Sequence, residues 1–283
     1  AALVYNDGFG VAKNFRIDSG QPQIIDNEKG LLIDFALWDY ETTESMLNGT
    51  PNYAPLGQVN LGNIQPKTTG LAQWWLTSSL LGHFVGMEAS YSHLNSHGNP
   101  ELSLIESVDI HELIRSGKAL DRDTTIFLVN DIVDGEDLPD TLWFQDTALS
   151  ADVLTGKCDL LDGPTFNINA DPPTVTFQVE VLLPGWHYIA MADPANSGAI
   201  PGERRYEVAA TFRNGTPNGG ADIELPFRNC WQTDRTLPDG ADPINENKLH
   251  LMDYLEEGIY NYTIALTELP AAAVRVTQFS AFS

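Results

Sequence analysis

The chain has 283 residues, 42% of them hydrophobic and 19% charged, and 39 Asp and Glu against 15 Lys and Arg give a formal net charge of −24 at pH 7. This composition is typical of a packed globular protein and not of a disordered tail. The negative field repels phosphate backbones and anionic lipid, so we expect no direct contact with nucleic acid. Because no run of about 18 uncharged apolar residues occurs, we also expect no transmembrane segment.

The first elements in the chain predict strands mixed with one or two short helices. The apolar stretch at 30–40 predicts a buried strand. Residues 69–87 and 109–117 predict helices, the second with Asp109 at its N-cap and Gly117 ending it. Long loops rich in Asn, Gly and Pro separate these elements.

Histidines between the two predicted helices suggest a metal site. His93 and His97 are four residues apart, and the further candidate ligands are His83, Glu88 and Glu101. However, Leu94 stands where a metalloprotease helix would carry Glu, and the surrounding Asn, Gly and Pro are poor helix residues. A polar surface loop is the alternative interpretation.

An acidic stretch follows the apolar residues of a predicted strand at 124–133. Its spacing does not match the EF-hand pattern of oxygen ligands with a Gly at the sixth position. An irregular calcium site formed by Asp131, Asp134 and Glu136 is one interpretation, because Ca²⁺ accepts irregular cages of oxygen ligands. A solvated acidic turn is the other.

The region 158–173 has three prolines and no periodicity, and it predicts a division into a mixed, mostly β part at 1–165 and an antiparallel β part at 166–283. One large β domain is the alternative. Cys158 and Cys230 are too far apart in sequence for a CxxC motif. They form a disulfide if the fold brings them together, and otherwise remain thiols.

The C-terminal part predicts antiparallel sheet, because apolar and polar residues alternate along several segments. Two rows of apolar residues carry this pattern: Val175, Phe177, Val179 and Val181 in the first, and Tyr206, Val208, Ala210 and Phe212 in the second. Gly185 and Gly258 each follow a Leu and lead into aromatic-rich strands, which predicts two tight corners. Residues 274–283 predict a last strand that pairs inside a sheet. The expected fold is mainly β, an antiparallel β-sandwich or jelly-roll.

Enzyme signatures such as GxSxG, the Walker loop and GxGxxG are absent from the sequence, and we do not expect an enzyme. The favoured function is a structural assembly protein in a virion or extracellular setting, namely a virion or phage coat protein that binds copies of itself or other structural subunits. One alternative is an extracellular calcium-dependent carbohydrate-binding module, whose candidate stacking residues are Trp74, Trp75, Trp143, Trp186 and Trp231. A secreted hydrolase on a β scaffold is the second alternative.

Overall fold

The computed structural model describes residues 1–23, 35–42, 59–78, 86–92, 105–131, 138–237 and 244–270. They confirm the predicted mainly β class with antiparallel sheets. The chain divides into two compact units: unit 1 is Ala1–Ile114 with Trp143–Ser150, and unit 2 is Arg115–Leu142 with Ala151–Ser283. The division at 165 and 166 stays a prediction, and residues 274–283 lie outside the described residues.

The strands among the described residues are numbered in chain order. They are β1 (Ala2–Tyr5), β2 (Ala12–Gln23), β3 (Phe35–Thr42), β4 (Val59–Ile64), β5 (Thr69–Ser78), β6 (Gly86–Ser92), β7 (Glu112–Lys118), β8 (Thr125–Asn130), β9 (Thr141–Phe144), β10 (Ser150–Asp152), β11 (Cys158–Asn167), β12 (Thr174–Val181), β13 (Gly185–Ala192), β14 (Tyr206–Thr216), β15 (Gly219–Glu224), β16 (Cys230–Leu237), β17 (Ile244–Leu255) and β18 (Gly258–Glu268). A 3-10 turn, Phe227–Asn229, precedes β16.

The described residues of unit 1 form two three-stranded sheets, in the orders β1-β5-β3 and β4-β2-β6. Both contribute to one hydrophobic core, in which Ile17 of β2 and Ala72 of β5 are fully buried. The predicted strand at 30–40 overlaps β3, which pairs with β5.

The predicted helices are wrong, because the described parts of both regions form strands and, at 109–111, irregular chain. β5 begins the region 69–87 and lies between β1 and β3. Leu71 and Ala72 are adjacent and both buried, so this strand is covered on both faces and lacks the alternation that identifies strands in sequence. β7 replaces the helix at 109–117, and Gly117 does not end a helix. A Cβ atom there would collide with the side chains of Met252 and Asn229, so Gly117 allows close packing within a strand.

Unit 2 contains a five-stranded sheet, β11-β12-β18-β14-β15, and a three-stranded sheet, β13-β17-β16. Their side chains meet in one hydrophobic core. The predicted apolar row of β12 is confirmed, since Val175, Phe177, Val179 and Val181 are all buried there. A four-stranded sheet, β10-β9-β8-β7, includes the predicted strand at 124–133 as β8, in which residues 126–129 are buried.

The alternation predicted for β14 holds only for its first half. Tyr206 and Val208 are buried, but the register with β18 shifts between Val208 and Ala210. Such a bulge inserts one residue and reverses the faces of the residues that follow. Thr211 and Arg213, predicted on the polar face, are therefore buried.

Both predicted corners are present, at the starts of β13 and β18. Gly185 and Gly258 have φ angles of +149° and +139°, a region that L side chains rarely adopt. Gly258 pairs with Val181, and Gly185 pairs with Leu255. The two corners therefore connect the five-stranded sheet to the three-stranded sheet at the same end of unit 2.

Candidate functional site

The acidic stretch after β8 is held at its base by hydrogen bonds of Asp140. Its Oδ1 accepts the backbone N–H of Asp131 at 3.1 Å and the hydroxyl of Thr141 at 2.7 Å, and its own N–H donates to Val129. Asp134 and Glu136 lie outside the described residues, so the calcium site stays a prediction. Within the described ranges, no three His, Cys, Asp or Glu side chains converge as metal ligands would.

The predicted histidine site stays a prediction, because its residues lie almost entirely outside the described part of the chain. His83, His93, His97 and Glu101 lie outside the described residues, and Glu88 lies in β6, where only its backbone is described. Trp186 and Trp231 are buried, whereas Trp74 and Trp143 are half-buried. Two of the five tryptophans are therefore core residues and not a surface platform.

The two cysteines are free thiols. Burial raises the pKa of Cys230 to about 12, and burial together with the charge of Asp159 raises that of Cys158. Because the thiolate is the reactive form, both side chains are poor nucleophiles at neutral pH. Cys230 acts as a core residue.

A buried aromatic stack lies on the face of the three-stranded sheet opposite its core. The guanidinium of Arg115 lies 5.2 Å from the centroid of the Trp231 ring, which stacks on His250 at 5.1 Å. The two ring nitrogens of His250 are 2.7 Å from the hydroxyls of Tyr188 and Thr233. The His250 ring is thus buried and held on both sides, which is typical of a structural histidine.

A buried ion pair crosses the core between the two sheets of unit 2. Arg213 of β14 donates to the Asp253 carboxylate at 2.5 Å, and the hydroxyl of Tyr262 donates to it at 2.9 Å. Burial raises the pKa of Asp253, opposed by the charge and hydrogen bond of Arg213. Burial and the Asp253 charge raise the pKa of Tyr262 well above its ordinary value. These groups satisfy one another and hold the sheets in register.

Side-chain amides take the place of a neighbouring strand along part of β14. β15 pairs with β14 from residue 212 onward, and before that point Asn196 bonds to Tyr206 in both directions. Its Oδ1 accepts the N–H of Tyr206 and its Nδ2 donates to the C=O, each at 3.0 Å. Gln232 extends the pattern, because its Oε1 accepts the N–H of Val208 at 3.1 Å. We call residues 206–208 with these two amides the amide-bonded edge.

Asp193 fixes both amides in place. Its Oδ2 accepts from Asn196 and from Gln232, each at 2.7 Å, while its Oδ1 accepts the backbone N–H groups of Ala195 and Asn196. Asp193 and Asn196 are both buried. A carboxylate with this many donors is fully engaged, so its role is to orient the amides.

The same device recurs at β7. Asn229 accepts the N–H of Lys118 at 2.9 Å and donates to its C=O at 2.8 Å. Asn229 is also buried. Two separate edges are therefore bonded by a buried asparagine, which prevents another strand from pairing there.

The edge of the five-stranded sheet formed by β11 is protected against strand pairing in a different way. The register of β11 with β12 shifts between Leu160 and Asp162 and again between Asp162 and Thr165. Pro164 and the exposed carboxylates of this strand add to the irregularity. Bulges, proline and charge on an edge strand disfavour pairing with another chain.

The segment just before and at the start of β7 has the opposite character. Four large apolar side chains are exposed within seven residues, with Ile110 75% exposed: Val108, Ile110, Leu113 and Ile114. We call residues 108–114 the apolar segment. Exposed apolar residues that are contiguous in sequence mark contact surfaces more often than isolated ones do.

Sequence reasoning found neither the amide-bonded edge nor the apolar segment. Asn196 is ten residues from Tyr206, and Gln232 is 24 residues from Val208, so no local pattern connects them. The available signal was Asp193 followed by Pro, which is typical of a turn. The apolar segment was instead assigned to a helix.

None of the helical segments among the described residues has the length and apolarity needed to span a bilayer. Comparison of the chain with known protein families, curated protein sequences and solved structures finds no match.

Proposed function

We propose that this protein is a structural assembly protein of the virion or phage coat class, with a β-sandwich of the jelly-roll kind in unit 2, and that it binds copies of itself. The sandwich is supported by the hydrophobic core to which the five-stranded and three-stranded sheets of unit 2 both contribute. The corners at Gly185 and Gly258 support it further, because each links one sheet to the other.

The apolar segment is the observation that carries the proposal. Leaving Val108, Ile110, Leu113 and Ile114 in water forgoes the stabilisation of burial, about 1.5–3 kcal/mol for each fully buried side chain. This stabilisation is recovered when another chain covers the exposed side chains. The neighbouring part of β7 at Lys118 is bonded by Asn229, which directs pairing away from that part.

The net charge of −24 determines the conditions for assembly. Copies that approach one another repel over roughly a Debye length, about 10 Å at 0.1 M salt and about 3 Å at 1 M. Association driven by apolar contact should therefore strengthen as salt rises. Calcium should promote it more than sodium at equal ionic strength if the predicted acidic loop binds the ion.

Light scattering and sedimentation velocity test this proposal. The expected result is a mass that grows with protein concentration and with salt from about 0.1 to 1 M, over which the Debye length falls from about 10 to about 3 Å. The series is measured with calcium and with EDTA. A strict monomer under every condition would contradict the proposed function. Growth with salt that EDTA leaves unchanged would support assembly and remove calcium from it.

A further inference from the structure

Asparagine followed by glycine, the dipeptide in which an asparagine side chain deamidates most readily, occurs in the chain at Asn48, Asn214 and Asn218. Glycine carries no Cβ, so its backbone nitrogen can approach the side-chain carbonyl carbon of the residue before it. Asn48 lies outside the described residues. Asn214 lies near the end of β14 and Asn218 in the turn that leads to β15, and the surroundings of these two differ.

Asn214 is held by hydrogen bonds to both polar atoms of its side chain. Its Oδ1 accepts the N–H of Asn261 at 2.6 Å, and its Nδ2 donates to the C=O of Thr216 and, at 3.4 Å, to that of Ile259. The residue is buried, and a Cβ on Gly215 would lie 2.7 Å from a backbone carbonyl oxygen. Both reacting groups are confined, so the amide can turn toward Gly215 only when the end of β14 opens.

Asn218 is exposed and less constrained. It lies in the two-residue turn Pro217–Asn218 and has a φ angle of +61°. Its Oδ1 accepts the N–H of Ile259 at 3.2 Å, whereas its Nδ2 has no hydrogen-bond partner among the described residues. A Cβ on Gly219 would meet no atom within 4 Å, so neighbouring atoms leave space around this glycine. Rotation of the Asn218 side chain toward Gly219 therefore breaks one hydrogen bond, which water can replace at the exposed turn.

We propose that Asn218 is the site of a spontaneous covalent modification, deamidation through a succinimide. The backbone nitrogen of Gly219 loses its proton to hydroxide and attacks Cγ of Asn218. A C–N bond forms, the Cγ–Nδ2 bond breaks, and Nδ2 leaves as ammonia after taking a proton from water. Water then adds to either carbonyl carbon of the ring and opens it, which gives aspartate or isoaspartate at position 218.

The modification alters the contact between this turn and the corner at Gly258. A Cβ on Gly258 would lie 2.5 Å from the Cβ of Pro217, so the turn packs directly against the corner. The N–H of Asn218 also donates to the C=O of Ile259 at 2.8 Å. Isoaspartate lengthens the main chain of the turn by one carbon atom and adds a negative charge to a protein that already carries −24. We therefore expect the N–H of Ile259 to exchange with solvent faster in the modified protein.

The test uses one peptide in which each asparagine is the control for the other. Trypsin cleaves after Arg213 and Arg228, so the peptide 214–228 contains both described Asn–Gly pairs. The full chain is incubated at mildly alkaline pH, either folded or in urea, and is digested in heavy-oxygen water, which labels any deamidation that occurs during digestion. Tandem mass spectrometry gives the rate at each asparagine, and electron-transfer fragmentation distinguishes isoaspartate from aspartate. We expect Asn218 to react at least about tenfold faster than Asn214 in the folded protein and at a similar rate in urea.

Asn218→Gly is the matched variant, because glycine accepts the positive φ angle of the turn and removes the reactive amide. The folded variant should lose both the mass increase of this peptide and the faster exchange at Ile259. Equal rates at Asn214 and Asn218 in the folded protein would overturn the proposal, as would an unreactive Asn218 when both asparagines react in urea. None of these readouts depends on association, so the proposed assembly is tested separately.

Discussion

The amide-bonded edge and the apolar segment differ in how they meet solvent and other chains. Buried side chains bond the backbone at the first, whereas the second exposes apolar side chains. At the edge, Asn196 and Gln232 bond the backbone of Tyr206 and Val208, and Asp193 orients both amides. Along the apolar segment, side chains such as Ile110 extend into solvent. Each buried amide must be satisfied on all sides, so such an edge depends on a complete network. Under the proposed assembly, the amide-bonded edge is closed to other chains and the apolar segment is open to them.

Substitution of Asn196, the central side chain of the amide-bonded edge, should have the largest effect on stability. Asn196→Ala leaves the N–H groups of Arg205 and Tyr206 without their acceptor. Arg205 is exposed, so water can replace its acceptor, but the buried N–H of Tyr206 stays unpaired and the Asp193 carboxylate loses a donor. Together these losses cost about 4 kcal/mol in the free energy of unfolding, measured by urea titration. The variant should also aggregate, because the edge of β14 becomes available for pairing. The matched control, Asn169→Ala at an exposed position, should change stability by less than about 0.5 kcal/mol.

If Asn196→Ala had wild-type stability, the amide network would contribute nothing to the stability of the fold. A variant that is destabilised but remains monomeric would show that the amide supports stability without protecting the edge.

The loss of stability at alkaline pH tests the burial of Cys230, the core residue that follows Asn229. Cys230 has a folded pKa of about 12 against an ordinary value of 9.0, because of burial. A raised pKa means that the folded state holds this proton more tightly. The contribution to stability is present below pH 9 and is lost as pH rises toward 12. Between pH 8 and 11 the wild type should lose about 3 kcal/mol more than Cys230→Ala does.

Cys158→Ala is the comparison for this experiment, since the pKa of Cys158 is also raised but its side chain is only partly buried. We expect Cys158→Ala to remove less of the alkaline loss than Cys230→Ala does. Equal alkaline losses in the wild type and in Cys230→Ala would mean that the Cys230 thiol ionises without opening the core.

The second buried asparagine should have a smaller effect. Asn229→Ala removes two hydrogen bonds to the backbone of Lys118, a residue that is only partly buried, so water can replace them. We expect a loss of about 2 kcal/mol in urea unfolding and faster amide hydrogen exchange at Lys118. Unchanged exchange there would show that Asn229 does not protect the edge of β7.

Much of the sheet structure could be predicted from the sequence, because burial on one face produces alternation. The row from Val175 to Val181 is the example, since β12 has one face in the core and no bulge in its register with β18. β14 shows the limit of this reasoning. The bulge after Val208 reverses its faces, and nothing in the alternation itself reveals where one residue is inserted.

The helices were predicted wrongly for a related reason. β5 is covered on both faces, so its continuous apolar residues fit a helix as well as a strand. In β7, Gly117 fits a helix C-cap in sequence, but its close packing against Met252 becomes visible only in three dimensions. The amide-bonded edge was missed because its residues are distant in sequence, and the calcium loop stays a prediction at Asp134 and Glu136.

Lysine substitutions in the apolar segment and in β11 test whether the apolar segment is the assembly surface. The variant Ile110→Lys with Leu113→Lys alters the apolar segment, and Leu160→Lys with Leu161→Lys makes the matched change on the irregular strand β11, where both leucines are 41% exposed. Neither pair should change stability by more than about 0.5 kcal/mol. Sedimentation equilibrium at 1 M salt should show an association constant lowered about tenfold or more by the first pair and unchanged by the second. Equal association constants for the two pairs would contradict the assignment of the apolar segment as the assembly surface.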